Sequence, residues 1–173
     1  MRRLALTLAA LLCCAASAAW AMGQRAGAEL DDYGRYAELT RDPYGFESAS
    51  IAGYSSVVRT ELLERTTRVP LRLGELFGFN YAIRDAAAVD DWIPVRIEIS
   101  HPTATDYRGR PSNSFVIDSA AQLHPDGRYR NGAFYRLSET RELLPGRWRI
   151  SVIYRGETLV SQEFLIAADM PSR

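Results

Sequence analysis

The 173-residue sequence contains no lysine; all 21 of its basic side chains are arginine, and they face 21 acids. Arginine's planar fork suits carboxylates, phosphates and sugar hydroxyls. These arginines are spread along the whole chain, however, which is the pattern a coding bias leaves rather than a binding patch. A formal net charge of zero without a basic run argues against nucleic acid as a partner. Cysteine is nearly as scarce, with two copies, Cys13 and Cys14, both inside the long apolar stretch at residues 4–16.

That stretch follows the basic Met1-Arg2-Arg3 and precedes the small residues Ala19 and Ala21, the layout of a secretory signal peptide over residues 1–21. Residues 4–21 are short for a membrane span, although kept uncleaved they would serve as an anchor. Cleavage after Ala21 removes both cysteines, which excludes a disulfide, a cysteine nucleophile and a thiolate metal site from the mature chain. It also removes Arg2 and Arg3, leaving 19 bases against 21 acids, a balance of −2. Leu12 precedes Cys13 where lipid attachment wants a small residue, so a lipoprotein is not expected. The signal predicts a periplasmic or secreted protein with no membrane span after cleavage.

Signatures of catalysis are missing too. There is no Gly-x-Ser-x-Gly elbow, and Ser56 lacks the second glycine. The two histidines, His101 and His124, are each followed by proline, and neither belongs to a His-x-x-x-His spacing. His101 with Asp106, and His124 with Asp126, could each form a base and its orienter or half a metal site. A hydrolase or metal-dependent enzyme built on His101, Asp106 and His124 is therefore the alternative reading. The adjacent acids Asp31-Asp32 and Asp90-Asp91 point apart and read as solvated charge. No catalytic residue, metal ligand or cofactor is expected.

What the sequence does contain is a series of short strand patterns between turn clusters. Residues 22–32 read as a flexible leader, and residues 33–39 as a first strand ended by Asp42-Pro43-Tyr44-Gly45. Residues 48–67 read as one long strand because Val57, Val58, Thr60, Thr66 and Thr67 are β-branched. Pro70 places that region at a sheet edge or a strand end, and an exposed edge there would suit an assembly factor that pairs strands. Leu73 to Gly78 reads as a turn. Ile93, Val95, Ile97 and Ile99 alternate with polar residues in the cleanest period-two pattern of the chain. His101-Pro102 should end that strand, and residues 103–114 read as a long surface loop. Phe115 to Ile117 and Phe134 to Leu137 are further strands, with a turn at His124-Pro-Asp-Gly127 between them.

The last apolar stretch reads as a hairpin that Pro145-Gly146 launches. Pairing Trp148 with Phe164 and Val152 with Val160 matches apolar faces and calls for a three-residue loop, Arg155 to Glu157. A two-residue loop, Arg155-Gly156, would instead set Trp148 opposite Glu163. The first register is preferred. Strands divided by turns, without a long helical pattern, predict one antiparallel β-sandwich domain over residues 33–168 with a tail at 169–173. Its candidate binding residues are the aromatics placed in or beside loops, Trp92, Tyr107, Tyr129 and Tyr135, whose flat rings could stack on sugars or anchor a protein.

Thr66-Thr-Arg-Val-Pro70, Leu73-Gly-Glu-Leu-Phe-Gly-Phe79, Tyr81-Ala-Ile83, His101-Pro102, Glu142-Leu-Leu-Pro-Gly-Arg-Trp148 and the Phe164 ending together resemble the bacterial family called domain of unknown function 3859. The resemblance runs from about Tyr33 to Ile166. It implies a small exported or envelope domain with an immunoglobulin-like antiparallel sandwich of about seven to nine strands. It brings no catalytic residues. The expectation is a non-catalytic module that binds an envelope protein or a glycan through loops at one end, with its oligomeric state open.

Overall fold

A computed structural model describes residues 25–41, 46–47, 50–52, 54–55 and 58–168. Residues 1–21, expected as a signal peptide, residues 22–24 of the expected leader, the Asp42-Pro43-Tyr44-Gly45 cluster and the expected tail lie outside the described residues. The strands are β1 (Gly27–Arg41), β2 (Phe46–Glu47), β3 (Tyr54–Ser55), β4 (Val58–Glu64), β5 (Arg68–Pro70), β6 (Leu76–Arg84), β7 (Trp92–Thr105), β8 (Pro111–Leu123), β9 (Tyr129–Arg136), β10 (Gly146–Tyr154) and β11 (Glu157–Ala167). A short 3-10 helix, Thr140–Glu142, joins β9 to β10. Among the described residues no helix is long and apolar enough to cross a membrane.

Nine strands hydrogen-bond in the order β4-β1-β6-β9-β8-β7-β10-β11-β5, while β2 and β3 pair separately. The β8–β9 seam consists of two pairs, Gln122 with Arg130 and Leu123 with Tyr129. The array therefore folds over at that hairpin into two layers, with β10 and β11 packed across from β1, β6 and β9. The result is an all-β, immunoglobulin-like sandwich, antiparallel throughout except where the edge strand β5 runs parallel to β11.

Alternation decides which side chains enter the core. Ile93, Val95, Ile97 and Ile99 of β7 point inward. They meet Phe77, Phe79, Tyr81 and Ile83 of β6 and Trp148, Ile150 and Val152 of β10. Removing each such side chain from water contributes about 1.5–3 kcal/mol. At the centre, Trp148 is edge-on to Phe77 at 6.0 Å and tilted against Tyr135 at 5.1 Å. Its indole N–H donates to the Leu144 carbonyl at 3.1 Å.

The closing hairpin combines both sequence alternatives. Trp148 pairs with Phe164 and Val152 with Val160, yet Tyr154 pairs with Glu157, which leaves a two-residue Arg155-Gly156 loop. A bulge between Val152 and Ile153 absorbs the extra residue. Arg155 and Gly156 take φ of 50° and 82°, the paired left-handed conformation that keeps a hairpin's strands in register with their twist.

Several sequence expectations need correction. Gly27 to Asp32, read as leader, form the start of β1, because each is bound into the ladder or bulge against β6 from Gly27–Arg84 to Asp32–Asn80. The long strand at 48–67 is broken, with β4 covering Val58–Glu64. His101-Pro102 does not end β7: the strand passes through them with a bulge between Ser100 and Ala104, so the loop shrinks to residues 106–110. Gly78 lies within β6 rather than in a turn. The Phe134 ring sits across Gly78 and Gly132, with its edge contact to Tyr36 at 4.7 Å. Pro70 is where expected, at the end of an edge strand.

Candidate binding surface at one end of the sandwich

The four aromatics singled out in the sequence do not form one patch. Tyr129 and Tyr135 are buried, and this corrects their assignment to a binding surface. β9 begins at Tyr129, two residues after the turn, and its alternation turns both rings inward. The Tyr129 hydroxyl donates to the Asp90 carbonyl at 2.8 Å, and the Tyr135 hydroxyl to the Glu142 carboxylate. Tyr107 is half-buried in the β7–β8 loop, where its neighbour Arg108 holds its guanidinium 5.0 Å from the ring centre. Trp92, 54% exposed on the outer side of β7 beside Gln122, is the one that stays available. Fifteen residues of extended chain put it roughly 45 Å from Tyr107, at the opposite end of the sandwich.

The residues of the enzymatic alternative are likewise kept apart. His101 is 5% exposed and tilted against Trp148 at 5.2 Å and Phe115 at 5.7 Å. Its Nδ1–H donates to the Pro102 carbonyl at 2.8 Å, and Nε2 has no hydrogen-bond partner among the described residues. His124 is exposed in the β8–β9 turn. Since Ser100 pairs with Ser114, ten residues of β8 separate the two histidines by roughly 30 Å. Asp106 is spent on its own loop, accepting from the backbone of Arg108 and Arg110 and from the Arg110 side chain. Among the described residues no three His, Cys, Asp or Glu side chains gather as metal ligands would.

His101 instead makes the core sensitive to acid. Burial lowers its pKa from the ordinary 6.5, the Pro102 carbonyl opposing, so the folded chain takes up this proton less readily than the unfolded one. Its share of stability is complete above 6.5 and is lost as pH falls below that value. Glu142 acts in the other sense: burial raises its carboxyl despite hydrogen bonds from Tyr135, Glu139 and Ser138, so its share is lost as pH rises through the raised value. His101→Phe should flatten the decline in urea midpoint between about pH 7 and pH 5. An unchanged decline would place the acid sensitivity elsewhere.

The end that carries Trp92 also carries a cleft. It gathers the start of β1, the end of β6 with the β6–β7 loop, and the β8–β9 turn. The cleft has a volume of about 690 Å³ and is lined chiefly by Arg25, Arg84, Asp85, Asp126 and Arg128. Asp85 latches the two layers there: Ala87 N–H donates to Oδ1, and the Tyr154 hydroxyl and Arg155 reach Oδ2 at 2.8 and 3.0 Å. Burial alone would raise this carboxyl, but these hydrogen bonds and the Arg155 charge hold it below the usual carboxylate range. Val89, 89% exposed, and Leu123 add apolar surface to the same end. A second cleft of about 340 Å³ opens on the outer face where the β7–β8 ladder breaks, with Arg147 and Arg149 sharing Glu163.

The arginines of the end cleft were not legible beforehand. They come from three segments far apart in the chain, and no local spacing marks them as a group.

The chain resembles an immunoglobulin-like protein from Pseudomonas aeruginosa, with a TM-score of 0.58 and 18% identity, covering 84% of this chain and 99% of that one. It also overlaps the Pseudomonas fluorescens alkylpurine DNA glycosylase AlkC, solved bound to DNA containing an abasic site analogue, with a TM-score of 0.41 and 23% identity over 56% of this chain and 27% of that one. The first likeness bears on the fold alone. None of the curated proteins matches the chain. The model of one family, Domain of unknown function (DUF3859), matches residues 25–166, and the chain belongs to that family.

Proposed function

We propose that the mature chain is a non-catalytic binding module of the periplasm or the secreted fraction, which recognises an envelope protein or glycan through the end of the sandwich bearing Trp92. The exposure of Trp92 carries this reading. In the described part the other tryptophan, Trp148, is buried, and a large flat ring left in solvent is a usual anchor of a recognition surface. Export rests on the signal peptide read at residues 1–21. The two histidines lie far apart, which removes support from the hydrolase alternative.

The test is capture from envelope extract and on a glycan array with purified mature protein, in parallel with Trp92→Ala. The substitution should weaken the captured interaction about tenfold or more, as loss of an anchor residue does. Its melting temperature should stay unchanged, because the ring is on the outer face. Capture indifferent to Trp92→Ala, or no ligand in either format, would reject this surface.

A further inference from the structure

We propose that the arginine-lined cleft receives an anionic group, carboxylate or sulfate, of an acidic polysaccharide; this rests on the binding role proposed above for the same end. Three arginines line the cleft from separate elements, Arg25 ahead of β1, Arg84 closing β6 and Arg128 after the turn glycine. The acids around them are already committed. Both oxygens of Asp85 are taken by Ala87, Tyr154 and Arg155. Asp126 accepts the Arg128 N–H on Oδ1 and the Arg130 side chain on Oδ2. Glu29 is shared by Arg84 and Arg128, and Asp31 takes Arg130.

The donors are not used up. Arg84 is 64% exposed and its contact to Glu29 is long, at 3.4 Å. Arg25 is exposed and forms no ion pair with a described acid. Arg25, Arg84, Arg128, Arg130 and Arg155 outnumber Glu29, Asp31, Asp85 and Asp126 by one positive charge. Asp90 and Asp91 stand at the far end of the β6–β7 loop, next to Trp92 and outside the cleft wall. Spare guanidinium N–H groups on a wall whose two lining acids, Asp85 and Asp126, are paired at both oxygens complement an anion, for which the planar fork is shaped.

A saccharide suits the rim better than a peptide. The cleft lies on the β6 side of β1, where pairing runs out to Gly27 with Arg84, while the edge of β1 that β4 leaves unpaired before Arg35 faces the other way, so the cleft itself offers a peptide no strand edge. The volume lies within the range of small-ligand sites.

The experiment is a titration of the mature protein with polygalacturonate, dextran sulfate and neutral dextran at low and physiological salt. At least one charged polymer should bind, with salt weakening it and neutral dextran silent; which of the two binds separates carboxylate from sulfate. Arg84→Gln and Arg25→Gln should each weaken it about tenfold, the effect of losing a hydrogen bond to a charged group. Arg25 makes no ion pair with a described acid, so its variant should keep the parent melting temperature. Equal binding of neutral dextran, unaltered affinity in both variants, or no binding of either charged polymer overturns the proposal. Trp92-dependent capture of an envelope ligand together with silence from both charged polymers rejects the anion site and leaves the binding role intact. Arginine-dependent polymer binding without any effect of Trp92→Ala does the reverse.

Discussion

Gly78→Ala is expected to lower the urea midpoint sharply. Gly78 takes a φ of 154°, and a Cβ placed there would collide with the Ala133 carbonyl oxygen and come within 2.7 Å of the Phe134 Cα. Both obstacles are backbone of the neighbouring strand β9, to which β6 is hydrogen-bonded through Gly78 and Phe134. The pair of strands cannot part without giving up the ladder. Overpacking and backbone strain together cost about 2–6 kcal/mol, against a total stability on the order of 5–15 kcal/mol for a domain. Gly132 supplies the control. The nearest atoms a Cβ at Gly132 would meet all belong to the Phe134 ring, so Gly132→Ala should be rescued by Phe134→Ala, whereas Gly78→Ala should not. Urea midpoints of the two singles and two doubles decide it; a Gly78→Ala midpoint close to the parent's would refute the packing described for this face.

Trp148→Ala should be the most damaging core truncation, at about 3–5 kcal/mol. The indole is fully buried and touches rings from three other strands, Phe77 of β6, Tyr135 of β9 and His101 of β7. Its loss opens a cavity bordered by both layers and strands the Leu144 carbonyl that accepts its N–H. Trp148→Phe keeps most of the volume and should lose distinctly less. Chemical unfolding of both variants checks the order, and equal losses would show that volume is not what Trp148 supplies.

These two positions also show what the sequence could and could not reveal. Trp148 was paired with Phe164 from alternation and the match of apolar faces, because a period of two in a hairpin fixes the face of every side chain once one pair is chosen. The same rule made β7 plain from Ile93 to Ile99. Gly78 was misread as a turn residue, since a glycine between aromatic residues has the same local signature whether it bends the chain or makes room for a ring from another strand. Phe134, the ring concerned, lies 56 residues later in the sequence. The bulge at His101-Pro102 failed for a related reason: proline lacks a donor, but a bulge lets a strand continue through it. Tyr129 and Tyr135 were placed beside loops because the start of β9 could not be located closer than a few residues, and one residue's difference in register exchanges buried for exposed. Trp92, at the first residue of β7, is exposed. The arginines that share its end of the sandwich stayed hidden because only the fold brings Arg25, Arg84 and Arg128 to one wall.

The pairing of β1 with β6 bears on how the chain reaches this state. Every pair between them joins residues forty or more apart, from Tyr36–Leu76 out to Gly27–Arg84. β6 in turn waits for β9, and β7 for β10. Such non-local pairings must lose the entropy of long loops before burial rewards them, which places acquisition of the sandwich on the order of milliseconds to seconds. A chain that collapses slowly keeps its strand edges unpaired for that whole interval.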